Sequence, residues 1–467
     1  MPVRPLLAGT ALLVSAVLVV PLAASAQAGA PALPPVSLAD AFTTKTPYAP
    51  QQDPRRYSKA PAGYRPVLTQ IVTRHGSRAL SDSDDGDALL ALWDEASAAG
   101  GLTARGQGLA AQVRGVLDDS ATIGYGQLSS RGADELAGIA RRTAQRLPSL
   151  FSSAVGGAAG TTSAAPRIDV STSSQRRTQD SAAAYVAGLE QTVPGIAPLV
   201  GASRVDNAHL YFHKTDVAYN AYLDGDARLA DAVAAPVDTG VTHAVAGAAL
   251  ERSFTRAFVD RLAAGDVSAF DDEVAAAQAL YAVDQAAHDL PAGSGWDLDP
   301  YLTRPQAAWF GYLDDVTSFY ESGPGFRGDD VTYGMADVLL DDMFATLEAK
   351  RDGTSDLVEQ ARFTHAEEIM PLAALLGLPG STVQQAVGRE MTYLDNPFRG
   401  ARVAPMAANV QWDLYAHGSS YLVRMFYDEK ETPFKASCRP VAPGSTFYDL
   451  DELERCYGWS SARGHAD

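Results

Sequence analysis

Cysteine is almost absent from this 467-residue chain: there are two, Cys438 and Cys456, and neither belongs to a CxxC pair or to a closely spaced Cys/His set. That argues against a thiolate zinc site, which needs several ligands at short spacings. Positive charge is also scarce. Lys and Arg total 37 against 56 Asp and Glu, a formal charge of −19. A surface this acidic disfavours nonspecific binding to nucleic acid or to an anionic membrane. No segment after the N-terminal leader is apolar enough to span a bilayer, and the C-terminus carries no hydrophobic tail. The acids do not gather into the kind of carboxylate cluster that holds Mg²⁺ or paired metals, so no metal or other cofactor is expected. No repeat of fixed period is present.

What is there is ordinary in bulk, with 46% hydrophobic and 20% charged residues, and long enough for two or three domains. Arg4 precedes an apolar stretch over 5–22 and then Ala24-Ser25-Ala26. Positive region, apolar region and small-x-small site together read as a secretory signal peptide over 1–26, so the mature protein is expected outside the cytoplasm, secreted and without stable membrane association. The leader has no Cys, which argues against a lipid anchor. In an oxidising compartment Cys438 and Cys456 are expected to form a disulfide. Residues 27–63 are rich in Pro, Ala and Ser and read as a tether and an extended lead-in.

The run 66–72 is short, apolar and β-branched, the pattern of a buried strand. It ends at Arg74-His75-Gly76-Ser77-Arg78. The acidic stretch 81–87 reads as a loop, 131–147 as an amphipathic helix with a Ser N-cap, and 150–166 as a surface loop. A second strand over 167–171 runs through Thr172-Ser173-Ser174 into a helix over 176–189, the βα unit of a parallel sheet. From 206 to 350 the pattern is almost wholly helical, with candidate helices 215–232, 243–264, 268–288, 304–320 and 334–350. A strand over 361–364 then meets His365-Ala366-Glu367 and a helix over 367–377, and further strands are expected at 410–415 and 421–427. The fold class is therefore α/β: a central, mostly parallel sheet flanked by helices, built from 64–205 and 351–467, with an all-helical cap domain, 206–350, inserted between them.

Ligands of open parallel sheets sit at the carboxyl ends of the strands. Three strands here end in chemically loaded segments: 74–78, 172–177 and 365–367. They supply two His, several Arg and one carboxylate, a set suited to phosphoryl transfer without a metal. Arg forks neutralise the phosphoryl oxygens, a neutral imidazole attacks phosphorus, and a carboxylic acid protonates the leaving oxygen.

The segment Arg74-His75-Gly76-Ser77-Arg78 resembles the RHGxR signature of the histidine phosphatase superfamily, acid phosphatase and phytase branch. His365-Ala366-Glu367 is similar to the HAE form used by multiple inositol polyphosphate phosphatases, where other members of the branch usually have HD. The resemblance extends over nearly the whole chain after about residue 60 and includes 172–177 with Asp180-Ser181-Ala182. It implies that His75 is the phosphorylated nucleophile, that Arg74, Arg78 and Arg177 clamp the phosphate with His365, and that Glu367 donates the proton. Arg176 is the alternative to Arg177, although the spacing to Ser181-Ala182 favours Arg177. Where the branch often has Pro, this chain has Leu80.

The resemblance implies an inositol polyphosphate as the substrate. Two rival readings are a broad-specificity acid phosphatase with the same catalytic residues, and a non-catalytic phosphate binder, which would need neither His75 nor Glu367. The mutases of the superfamily lack both a leader and a large helical insertion. Candidate pocket cations are Lys214 and Arg327, with Arg105 and Arg402 as further basic residues.

Overall fold

The computed structural model describes residues 40–158 and 166–460, and the backbone of Gly464–His465. The leader 1–26, the tether up to residue 39 and residues 159–165 lie outside the described residues.

Eight strands form the main sheet: β1 (Arg65–Arg74), β2 (Arg167–Thr172), β3 (Arg204–Val205), β4 (Leu357–Thr364), β5 (Asn409–His417), β6 (Ser420–Tyr427), β7 (Lys430–Thr432) and β8 (Phe447–Asp449). Their order is β3-β2-β4-β1-β5-β6-β7, with β8 also on β6. The pairs β3–β2, β2–β4 and β4–β1 are parallel. The C-terminal pairs, from β1–β5 outward, are antiparallel. Five of the eight strands run in one direction, the mostly parallel sheet expected. Strand β4 is buried along its whole length although it carries Glu359, Gln360 and Arg362, and the buried Arg362 is paired with Asp342, 2.6 Å. Burial of a side chain such as Phe363, 0% exposed, contributes about 1.5–3 kcal/mol.

The chain leaves the sheet after β3, forms helices from Asn207 to Arg351, and returns as β4 between β1 and β2. This helical stretch shares one hydrophobic core with the sheet. The pattern over 215–232 resolves into two helices, Val217–Gly225 and Ala227–Ala234, because the Asp226 side chain accepts from the N–H groups of Arg228 and Leu229 and starts the second. The pattern over 243–264 likewise divides into Gly240–Leu250 and Arg256–Ala263. Thr255 N–H instead bonds to Gly101 O, 2.7 Å.

Three expectations are corrected. The acidic stretch 81–87 is not a loop throughout: a helix runs Asp84–Ala98. Its acids occupy the first turn, where they favour the helix dipole, and Leu89, Leu92 and Ala96 face the core. The stretch 150–166 is helical over its first part, as the end of Pro148–Ala158. Pro suits a helix start, and Leu150, Phe151 and Ala154 are buried. The lead-in also departs from a simple extended tether. Ala41 and Phe42 are buried in the core, followed by a 3-10 turn, Thr43–Lys45.

Candidate active site

The carboxyl ends of β1, β4 and β2 lie side by side, with Arg74 opposite Thr364 and Thr172 opposite Phe363. This brings the three loaded segments to one edge. The loop after β1 is rigid. His75 N–H donates to Thr364 O, 2.9 Å, and its carbonyl accepts from Ala407 N–H, 3.0 Å. Gly76 is required by close approach, since a Cβ there would lie 2.5 Å from Gly132 O. Ser77 N–H donates to Glu135 Oε2, 2.8 Å, and Ser77 Oγ to Glu135 Oε1, 2.9 Å. Asp289 Oδ1 lies 2.9 Å from the same hydroxyl.

The His75 ring is buried, 3% exposed. Its Nδ1 is 2.9 Å from Gly76 O. A carbonyl only accepts, so Nδ1 carries the proton and Nε2 keeps the lone pair. Burial, then Arg74, His365, Arg177 and Arg78, holds the imidazole well below its usual 6.5, which favours the neutral ring.

The same four neighbours include three arginines, and among the described residues none of these three forms a carboxylate ion pair. Arg74 is buried and donates to the carbonyls of Thr44 and Ala404. Burial lowers its guanidinium to about 10. Among the described residues the Arg78 guanidinium bonds only to Ala79 O, 2.9 Å, and that of Arg177 to His365 Nδ1, 3.1 Å. The Nε atoms of all three are sealed from solvent and lack a partner among the described residues. Buried polar groups are normally satisfied, and buried charges are normally paired. Three exceptions around one histidine are the signature of an anion site. Arg176, in contrast, is exposed and paired with Asp180, 2.8 Å, so the geometry favours Arg177 as the clamp.

His365 lies edge-on to His75, ring centroids 5.6 Å apart, and bonds to Ser173 Oγ through Nε2, 2.8 Å. Burial and then Arg177 lower it to about 3. Glu367 begins the helix Ala366–Leu376. Burial raises its carboxyl, but His213, His365 and Arg74 pull the other way, and the net value is about 2.

Lys214 and Arg327 are exposed, and neither is among the main charges acting on His75 or Glu367. Arg402 pairs with Asp40, 2.8 Å, and Arg105 is exposed. Sequence reasoning missed Lys45. Burial lowers its ammonium to about 7, with further effects from Arg78, Asp289, Arg74 and Asp314. It thus stands beside the motif arginines, carried on the turn whose Thr44 carbonyl receives Arg74. It also missed His213 and Glu368, whose side chains bond to each other, Glu368 following Glu367 in the chain. The adjacent acids in His-Ala-Glu-Glu were the available signal for the second pair.

Residues 68–428 match the family described as histidine phosphatase superfamily, branch 2. The chain is 25% identical over 351 residues to multiple inositol polyphosphate phosphatase 1 of Gallus gallus, which covers 71% of this chain and 70% of that protein. It is similar to the multiple inositol polyphosphate phosphatase of Bifidobacterium longum in complex with inositol hexasulfate: TM-score 0.82, 30% identity, 89% of this chain and 97% of that one. The complex of that enzyme with phosphate superposes with TM-score 0.84 at the same identity and coverage. The phytase from D. castellii, 16% identical with TM-score 0.65 over 90% of this chain and 85% of that one, shares the fold.

Proposed function

The chain belongs to branch 2 of the histidine phosphatase superfamily, and from that premise we propose that it is a phosphoric monoester hydrolase that removes phosphate from inositol polyphosphates through a phosphohistidine intermediate. The observation that carries this reading is the set of three arginines around a neutral His75, none paired with a carboxylate. The similarity to an enzyme crystallised with inositol hexasulfate and with phosphate supports the substrate class.

In the first step the Nε2 lone pair of His75 attacks phosphorus. The bond to the ester oxygen breaks, its electron pair goes to that oxygen, and Glu367 supplies the proton. Arg74, Arg78 and Arg177 neutralise the phosphoryl oxygens, and His365 contacts the same group. The Nδ1–H to Gly76 O bond supports the positive charge on the phosphorylated ring. In the second step Glu367, now ionised, takes a proton from the water that attacks phosphorus, and His75 leaves neutral. The bound phosphate dianion favours the acid form of Glu367 by like-charge repulsion, against the attraction that holds it ionised in the empty site.

Residues 206–350 act in this reading as a cap that walls the site, and Lys45 joins the arginines as a cation for the further phosphates of the substrate. Binding weakens as salt rises. A disulfide joins Cys438 and Cys456, and no helix among the described residues is long and apolar enough to cross a membrane. With the leader motif, these support secretion. The test of substrate class is the ratio of kcat/KM for phytate to that for a simple monoester, with and without a chelator. A ratio well above one that survives chelation supports the reading. A ratio well below one assigns the protein to broad acid phosphatases, and loss restored by a divalent cation contradicts the mechanism.

A further inference from the structure

Ser77 stands in the motif loop between His75 and Arg78, and it is fully buried. Its backbone is held from two sides. Ser77 O accepts from Ser129 N–H, 2.9 Å, and Ser77 N–H donates to Glu135 Oε2, 2.8 Å. Its hydroxyl meets two acids at once: Oγ lies 2.9 Å from Glu135 Oε1 and 2.9 Å from Asp289 Oδ1. A hydroxyl has one hydrogen to donate, and an ionised carboxylate only accepts. Two carboxylates cannot share that hydrogen, so one of the two acids carries a proton and donates it to Oγ.

Glu135 is the poorer holder. Each of its oxygens faces a backbone donor, Oε1 the N–H of Tyr48, 3.0 Å, and Oε2 that of Ser77. Burial raises its carboxyl, but these hydrogen bonds favour the ionised form. Asp289 is 1% exposed and ends the helix Glu273–Asp289, where the dipole disfavours a negative charge. We infer that Asp289 is a positioning residue for the reaction: it keeps a proton, donates it to Ser77 Oγ, and so fixes the loop that carries His75 and Arg78. The inference rests on the proposed reaction at His75. Burial raises the Asp289 carboxyl to about 7, with Lys45 opposing and Glu135 adding to the rise. The tie is therefore present below that value and lost as pH rises through it. Once the proton has gone to solvent, two anions face one hydroxyl, one of the two contacts opens, and the loop loosens.

The charges facing Asp289 are Lys45 on the lead-in turn, Glu135 on the helix Ser130–Arg146, and Arg74 and Arg78 at the end of β1. Arg131, on the same helix as Glu135, acts on Glu135 and on His288, the residue before Asp289. Asp314 on the helix Arg304–Glu321 and Asp85 on the helix Asp84–Ala98 reach the set through Lys45. Burial places Asp314 at about 6, so it ionises before Asp289 does. Lys45 titrates at about 7, and the experiment removes it.

The test is kcat/KM for 4-nitrophenyl phosphate against pH, in the full chain with Lys45→Met in every sample and thermal melting to verify each fold. The leaving group of this substrate needs no acid, so Glu367 does not shape the alkaline limb. Asp289→Asn keeps the shape, donates from Nδ2 to Ser77 Oγ at every pH and cannot ionise. Its alkaline limb is expected to lie about one pH unit or more above that of the parent. Ser77→Ala removes the tie at every pH, and it decides the matter if the Asp289 variant folds poorly. It is expected to lower kcat/KM about tenfold at acid pH and to flatten the alkaline limb. An unmoved limb in Asp289→Asn, or an unchanged profile in Ser77→Ala, overturns the positioning role. A limb moved by Glu135→Gln and not by Asp289→Asn gives the proton to Glu135 and also overturns it. Activity retained in His75→Ala removes the proposed reaction, and the role of Asp289 with it. An inactive His75→Ala beside an unmoved limb in Asp289→Asn overturns the role of Asp289 alone.

Discussion

Arg177 donates from Nη2 to Nδ1 of His365 at 3.1 Å, and this bond sets the tautomer of the histidine. A guanidinium has no lone pair to accept with, so Nδ1 is bare and Nε2–H donates to Ser173 Oγ, 2.8 Å away. Arg176, its neighbour, has a side chain 72% exposed and paired with Asp180. The two adjacent arginines should therefore respond very differently. Arg177→Met is expected to lower kcat/KM by about 10²–10³, the usual effect of losing one preorganised donor. Arg176→Ala should stay within about twofold, as a solvated i,i+4 pair contributes little. Steady-state kinetics on one substrate checks both.

If Lys45 binds the further phosphates as proposed, substrate binding is expected to be proton-linked. Its ammonium is lowered to about 7 by burial and by Arg78. Asp289, which acts on it, is raised to about 7 by burial. A bound polyanion favours the protonated form of each group, so both move upward and protons are taken up on binding near neutral pH. Calorimetry of inositol hexasulfate binding in buffers of different ionisation enthalpy should report this uptake. Lys45→Met should reduce it and raise KM for phytate more than for a monoester. Uptake unchanged in Lys45→Met would remove the lysine from the linkage.

The reach of sequence reasoning follows from the physics of each segment. Strand β1 was legible from its short, apolar, β-branched run. Strands β2, with Asp169, and β4, with Glu359, Gln360 and Arg362, carry polar residues inside and were marked chiefly by the chemically loaded turns that end them. The half of β4 before Ala361 left no apolar pattern to read. Lys45 was hidden because its segment offers only Ala41 and Phe42 as buried apolar residues, too few for a period. The turn there also depends on Thr43 at φ 47°, a conformation that Thr rarely adopts and that leaves no signal in composition. The helix Asp84–Ala98 was masked by its acidic first turn, which looks like a solvated loop until the helix dipole is considered. Strand β8 has three residues and exists through its pairing with β6, which no local pattern reveals.

Glu367→Gln separates proton donation from binding. An alkoxide leaves poorly, so hydrolysis of alkyl phosphates should slow by about 10²–10⁴. Nitrophenyl phosphate, whose leaving group is already acidic, should be largely spared. Comparison of kcat on the two substrates checks this, and equal losses would show that Glu367 does something other than protonate the leaving oxygen.

The disulfide Cys438–Cys456 closes a loop with a sequence separation of 18 and connects the segment before β8 to the helix Leu450–Tyr457. Constraining a loop of this size in the unfolded chain contributes about 3 kcal/mol. The double variant Cys438→Ser, Cys456→Ser should unfold at lower denaturant concentration while keeping KM near that of the parent. Denaturant titration with parallel kinetics measures both. An unchanged midpoint would mean that the bond contributes nothing to stability.

The central claim is covalent catalysis by His75, and it is tested most directly by trapping the intermediate. The protein is mixed briefly with ³²P-labelled phytate, quenched in alkali and digested, and the labelled peptide is identified. The account predicts label on His75, held by a phosphoramidate bond that survives alkali and is lost in acid, and no label in His75→Ala. Label that survives acid on a serine, or full activity in His75→Ala, would contradict it.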